Sequence, residues 1–240
     1  MKTIKKLFRN AYIGEDIYSA ATYSDGTWNY EKEYVARTLD NQGFSKKAVV
    51  IGNGISRLDF NLEEFKKSYV QKRIQTYGCN FLYKDFTPDF LIASRPEVAK
   101  ELNQTGYCKT HVVYSSSNAI LQYPGAFHLI PQDPSWNSGS VAAYLACFDG
   151  HPTVYLLGFD GNDSPHTNNN VYANLSGYNL TIDQKDDFMA LTMVHVFKTY
   201  PLVDFVLVNS TGRGYMPAAW YGVVNLRRIS FYDLVLECDL

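Results

Sequence analysis

The stretch from Lys46 to Ser56, Lys-Lys-Ala-Val-Val-Ile-Gly-Asn-Gly-Ile-Ser, most limits what this chain can fold into. Ala48, Val49, Val50 and Ile51 form a continuous apolar run. β-Branched residues crowd a helix at χ1 but sit well on a pleated surface, and an apolar run without alternation suits a strand covered on both faces. Gly52-Asn53-Gly54 follows at once, and Ser56 is placed to cap a helix with Leu58, Leu62 and Phe65 as its apolar positions. A strand, a glycine turn and a helix N-terminus together present outward backbone N–H groups, and glycine lets a ligand approach closely. The stretch therefore has two readings: a plain βα connection, or a site for a nucleotide phosphate or its sugar. The third glycine of a dinucleotide fingerprint is missing, and so is the Gly-Lys-Ser/Thr of a P-loop.

The same logic recurs along the chain. Arg73 to Tyr77 reads as a strand ending in Gly78-Cys79-Asn80, and Pro88 to Ala93 as a buried strand. Ser94 is placed to cap a helix from Pro96 to Leu102. His111 to Tyr114 is a strand ending in Ser115 to Asn118, and Ala126 to Ile130 a short extended piece. Asn137 or Ser138 opens a helix rich in small residues, through Phe148. Thr153 to Leu157 is a strand ending in Gly158-Phe159-Asp160-Gly161. Asp183 is placed to cap a helix from Gln184 to Thr199, and Leu202 to Val208 is a strand ending in Asn209 to Gly212. Strands alternating with helices predict an α/β fold, a mostly parallel sheet with helices on both faces. Polar tips collect at the strand C-termini, outside which open α/β sheets bind ligands.

The flanks read differently. Residues 1–45 are expected to form an N-terminal helical arm, with Trp28 to Leu39 as one helix carrying Tyr30, Tyr34, Val35 and Leu39 on one side. Residues 46–214 form the α/β domain, and 215–240 a tail packing on it, with a strand at Tyr221 to Leu226. Residues 162–182, polar and rich in Asn, Ser, Gly and Tyr, read as a lid. At 240 residues and 46% apolar content the chain supports a sizeable core, and a net charge of −2 gives no electrostatic case for nucleic acid or a membrane surface. Cys79, Cys108, Cys147 and Cys238 have neither CxxC nor zinc spacing, and read as free, mostly buried thiols of a reducing compartment. Met1 to Phe8 is basic with no apolar segment after it, and no run approaches a membrane span, so a cytoplasmic protein without membrane insertion is expected. A homo-oligomer stays open.

In order, the motifs are strand–Gly-Asn-Gly-x-Ser, strand–Cys-Asn, Pro-Asp-strand, Ser-Gly-Ser-Val helix, strand–Gly-x-Asp and a polar lid. This order resembles the bacterial sialyltransferases of glycosyltransferase family 42, and also the MptE-like 6-hydroxymethylpterin diphosphokinase group, over about residues 46–212. The resemblance implies a Rossmann-like domain binding a CMP-type nucleotide sugar. It implies that Asn53, in the turn Gly52-Asn53-Gly54 with Ser56, and Asn80 contact the nucleotide. It further implies that Ser138, Gly139 and Ser140 contact the donor, and that Gly158 and Asp160 lie by the ribose or base. Asn amides read a base edge or a ribose hydroxyl, and a helix N-terminus holds a phosphate.

Family 42 enzymes place a general-base His just ahead of the last helix; Leu175 to Asp187 contains none. The lid histidine here is His166, close to Asp160, where the diphosphokinase-like group has its His; it reads either as a solvated surface histidine or as a general base, which its ordinary titration range suits. Tyr172, with Tyr178 as a second candidate, matches the lid tyrosines that stabilise a departing phosphate. His111, His128, His151 and His195 read as structural or surface residues. Asp160 has three readings, a turn cap, a ribose contact or a metal ligand with Asp163. The leading expectation is a glycosyltransferase needing no metal or other cofactor, with a nucleotide sugar as its partner. The alternatives are a Mg-dependent diphosphotransferase and an inactive nucleotide- or glycan-binding module.

Overall fold

The computed structural model describes residues 2–10, 15–36, 47–69, 74–130, 136–160, 169–175 and 187–240. Two sheets form among them. The first is an antiparallel three-stranded meander of β1 (Lys2–Asn10), β2 (Glu15–Ser24) and β3 (Thr27–Ala36). This corrects the expected helical arm: Trp28 to Ala36 lies in β3, and residues 37–45 fall outside the described set. The deciding signal is Asp25-Gly26. Ser24 pairs with Thr27 across them, and both central residues have positive φ, 52° and 79°, the two-residue hairpin that Asp-Gly favours. Tyr30 and Tyr34 sit four apart, a spacing shared by a helix face and a strand of period two.

The second sheet carries the expected α/β architecture. Its strands are β4 (Lys47–Ile51), β5 (Ile74–Cys79), β6 (Phe90–Ala93), β7 (Val112–Ser115), β8 (His128–Leu129), β9 (Thr153–Leu157), β10 (Asp204–Asn209) and β11 (Leu226–Ser230). Every pairing in it is parallel, and the order is β11-β10-β9-β4-β5-β6-β7-β8. Ala48 to Ile51 and Phe205 to Val208 are buried at consecutive positions, which requires cover on both faces. The helices are α1 (Glu63–Tyr69), α2 (Pro96–Thr105), α3 (Ser117–Gln122), α4 (Ser138–Phe148), α5 (Asp187–Thr199) and α6 (Phe231–Cys238). The alanine-rich α4 crosses β4, β5, β6 and β9, where small residues let helix and sheet approach. Together these make a Rossmann-like α/β fold.

Three local expectations change. After Gly54 the chain forms a short 3-10 turn, Ile55–Asp59, before α1, and Leu58 is 60% exposed rather than on a buried helix face. Ser94 caps nothing; Arg95 precedes α2. The last strand is Leu226–Ser230 instead of Tyr221 to Leu226, and α6 follows it directly through a capping box between Ser230 and Asp233. Among the described residues no helix is long and apolar enough to cross a membrane.

Candidate functional site

The chain lays down β4 through β8 in one direction, then returns to place β9 on the other side of β4. The strand order reverses between β4 and β9, the point at which parallel sheets open a ligand crevice at their C-terminal edge. Both strands end there in glycine turns, and the turns touch. Gly52 N donates to Leu157 O at 2.7 Å, and Gly54 N to Gly158 O at 3.0 Å. A Cβ on Gly52 would lie 2.4 Å from Gly158 O, and one on Gly54 2.6 Å from the Asp160 carboxylate. These glycines serve close backbone approach between two strand ends.

Asp160 faces the same seam. Its Oδ2 accepts from Ser56 N at 2.7 Å, and its Oδ1 accepts from the Ser56 hydroxyl. Of the three readings for Asp160, the turn cap is the one the contacts fit: it closes the 3-10 turn through Ser56, which is itself no helix cap. Among the described residues no group of three His, Cys, Asp or Glu is arranged to hold a metal ion, and Asp163 lies outside them.

Asn53 is 7% exposed. Its Nδ2 donates to Cys79 O at 3.2 Å and lies 3.6 Å from Cys79 Sγ, while its backbone carbonyl accepts from Val171 N at 2.8 Å. Its Oδ1 is buried and has no hydrogen-bond partner. Buried acceptors are nearly always paired, by protein, water or ligand. Burial pushes the neighbouring Cys79 thiol up to about 12, against the pull of Arg57 and Arg95; a thiol so protonated is inert.

A polar ring stands beside it. Asn80 follows β5 in the left-handed region, φ 50°, where Asn is one of the few tolerated side chains. Its Nδ2 donates to Ser138 Oγ at 3.0 Å, and its Oδ1 accepts from Ser94 Oγ at 3.4 Å. The Ser94 and Ser138 hydroxyls bond each other and close the ring. Ser138 is the first residue of α4, whose N-cap is Asn137, with Oδ1 accepting from Gly139 N at 2.9 Å. Thus Asn53, Asn80, Ser138 and Gly139 gather at the ends of β4 and β5 and the start of α4. Ser140 does not: it is wholly buried and bonds Thr192 on α5 at 2.8 Å, tying the two helices together.

Tyr172 is not an open-facing phosphate contact. It is 5% exposed; its hydroxyl accepts from Arg57 Nη2 at 2.7 Å and donates to Asp85 Oδ2. Burial, with the Asp85 carboxylate adding to it, holds that hydroxyl well above the usual phenol range. His166 and Tyr178 lie outside the described residues. Sequence reasoning missed Ser94, Arg57 and Asp85. Ser94 sits at a strand C-terminus like the other polar tips, so the same rule reaches it; Arg57 and Asp85 carry no local signal.

No family model and no curated protein matches the chain. A solved structure similar to it is that of an asparagine-to-alanine variant of the sialyltransferase CST-II in complex with CMP, at 16% identity and a TM-score of 0.40, covering 67% of this chain and 81% of that one. A likeness of that size bears on neither the site nor the chemistry, and the fold stands on the sheet described above.

Proposed function

We propose that this chain is a sialyltransferase-like glycosyltransferase that binds a CMP-type nucleotide sugar at the C-terminal edge of its parallel sheet and transfers the sugar to a hydroxyl acceptor. The order of motifs along the sequence suggests the class. The observation that carries the reading is the unpartnered Oδ1 of Asn53 at the switch point between β4 and β9. A buried acceptor calls for a donor, and a nucleoside supplies two kinds, a ribose hydroxyl and the exocyclic amine of cytosine. The N-terminal end of α4, at Ser138, suits the phosphate. In transfer, the acceptor oxygen bonds the anomeric carbon as the bond from that carbon to the phosphate oxygen breaks, and CMP leaves. His166 is the proposed base, and its test is His166→Ala.

Thermal unfolding with CMP, CDP, UMP and Mg-ATP tests the binding step. At a hundredfold excess over Kd a ligand stabilises by about 2.7 kcal/mol, roughly 5–10 °C for a chain of this size. Failure of every cytidine nucleotide to raise Tm refutes the reading. Stabilisation by Mg-ATP alone favours the diphosphotransferase. Release of CMP from CMP-sialic acid with a hydroxyl acceptor then separates an enzyme from an inactive binding module.

A further inference from the structure

Residues 169–175 lie along the turn after β4, held to it at three points. Ile55 N donates to Asn169 Oδ1 at 3.1 Å, and Val171 N donates to Asn53 O at 2.8 Å. Asn170 Oδ1 accepts from Tyr172 N at 2.9 Å, which turns the chain so that Tyr172 enters the protein. There its ring meets the edge of Phe81 at 6.0 Å and lies 5.4 Å from the Arg57 guanidinium carbon. Its hydroxyl closes a triangle with Arg57 Nη2 and Asp85 Oδ2, the last two 3.0 Å apart. Arg57 is 2% exposed and belongs to the 3-10 turn after β4; Asp85 ends the 3-10 turn Asn80–Lys84 after β5. One hydroxyl thus joins the strap to both strand ends that bear the site asparagines.

Asn53 is gripped from two sides as a result. Cys79 O holds its amide nitrogen, and Val171 N holds its backbone carbonyl. The first grip holds the side-chain amide, and the second holds the backbone from which it projects. We infer that Tyr172 is a positioning residue of the nucleotide site. Locked by Arg57 and Asp85, it seats Val171 on Asn53 and so sets where Oδ1 meets the ligand. This rests on the nucleotide-binding reading of that site.

Tyr172→Phe keeps the ring and removes only the hydroxyl. The test is a double-mutant cycle with Asn53→Ala, reading CMP affinity by calorimetry and stability by urea unfolding. Tyr172→Phe is expected to raise the CMP Kd about 3- to 10-fold in the wild-type background, the loss of roughly one hydrogen bond's worth of alignment. In the Asn53→Ala background it is expected to change Kd less than twofold, while lowering the urea midpoint equally in both. A purely structural tyrosine gives the same loss of affinity in both backgrounds, and that result, or an unchanged Kd in the first background, overturns the inference alone. No CMP binding by the wild type overturns it together with the nucleotide reading. Where Asn53→Ala binds too weakly to titrate, the Asn53 side-chain amide resonances of the ligand-free protein decide: displaced by Tyr172→Phe they support the inference, unmoved they overturn it.

Discussion

Replacing Asn53 by alanine pulls stability and binding apart. In the ligand-free protein the Asn53 amide makes one useful contact, Nδ2 to Cys79 O, and leaves Oδ1 buried without a partner. A buried hydrogen bond contributes about 0.5–1.5 kcal/mol, and an unsatisfied buried acceptor costs about 1–3 kcal/mol. Alanine removes both, so the two effects offset each other. The ligand-free stability is expected to stay within about 1 kcal/mol, although truncation of so buried a side chain ordinarily destabilises by more than that. Binding answers differently. A ligand donor satisfies Oδ1, so its loss is expected to weaken CMP by about 1–3 kcal/mol, a 5- to 150-fold rise in Kd. Urea unfolding with and without CMP gives the first quantity, and calorimetric titration the second. A variant destabilised by more than about 2 kcal/mol that still binds CMP within twofold of wild type refutes the reasoning: Asn53 is then a structural residue and its free oxygen marks no ligand.

Gly54→Ala is expected to lower Tm and abolish CMP binding, because its Cβ would press on the Asp160 carboxylate at 2.6 Å and on Gly158 O at 2.7 Å, and a backbone oxygen cannot yield; overpacking of this kind costs about 1–3 kcal/mol, read by calorimetric unfolding. Ser140→Ala is expected to lose about 0.5–1.5 kcal/mol in urea with CMP affinity unchanged, since Thr192 keeps its bond to Phe188 O. Asp89 holds its proton more tightly than a free aspartate because it is partly buried, an effect its bonds from Thr76 only partly reverse. Its folded pKa lies above the unfolded one, so its contribution is fully present below the ordinary aspartate range and is lost as pH rises through it toward the folded value. Asp89→Asn is expected to flatten that part of the profile of urea midpoint against pH; an identical slope in both proteins contradicts it.

The large sheet was legible because strands buried on two faces must be apolar at consecutive positions, as Ala48 to Ile51 and Phe90 to Ala93 are. The glycine and asparagine tips were legible for a related reason, since few residues close such turns. The N-terminal meander was not, because spacings of four fit both periods and the Asp25-Gly26 turn is a signal only two residues long. β11 hid because an edge strand carries Arg227 and Arg228, whose side chains are exposed. At the site, residue type does not reveal which protein partners a side chain meets. Ser56, Asp160 and Ser140 are chemically fit to touch a ligand, yet each is engaged by a protein partner far away in sequence. Arg57 and Tyr172, 115 residues apart, meet only once the chain has folded.

The place of β9 beside β4 also bears on how the chain is made. β4 ends at Ile51, and its neighbour begins only at Thr153. About a hundred residues leave the ribosome between them, about 5–20 s of synthesis. Through that interval β5 can cover one side of β4, while the other side keeps its backbone N–H and C=O groups bare along an apolar run. Such an edge invites pairing with another nascent chain. A fragment ending at Gly150 keeps that edge permanently and is expected to aggregate, so the arrival of β9 completes the ligand crevice and also ends the period in which the young chain needs protection.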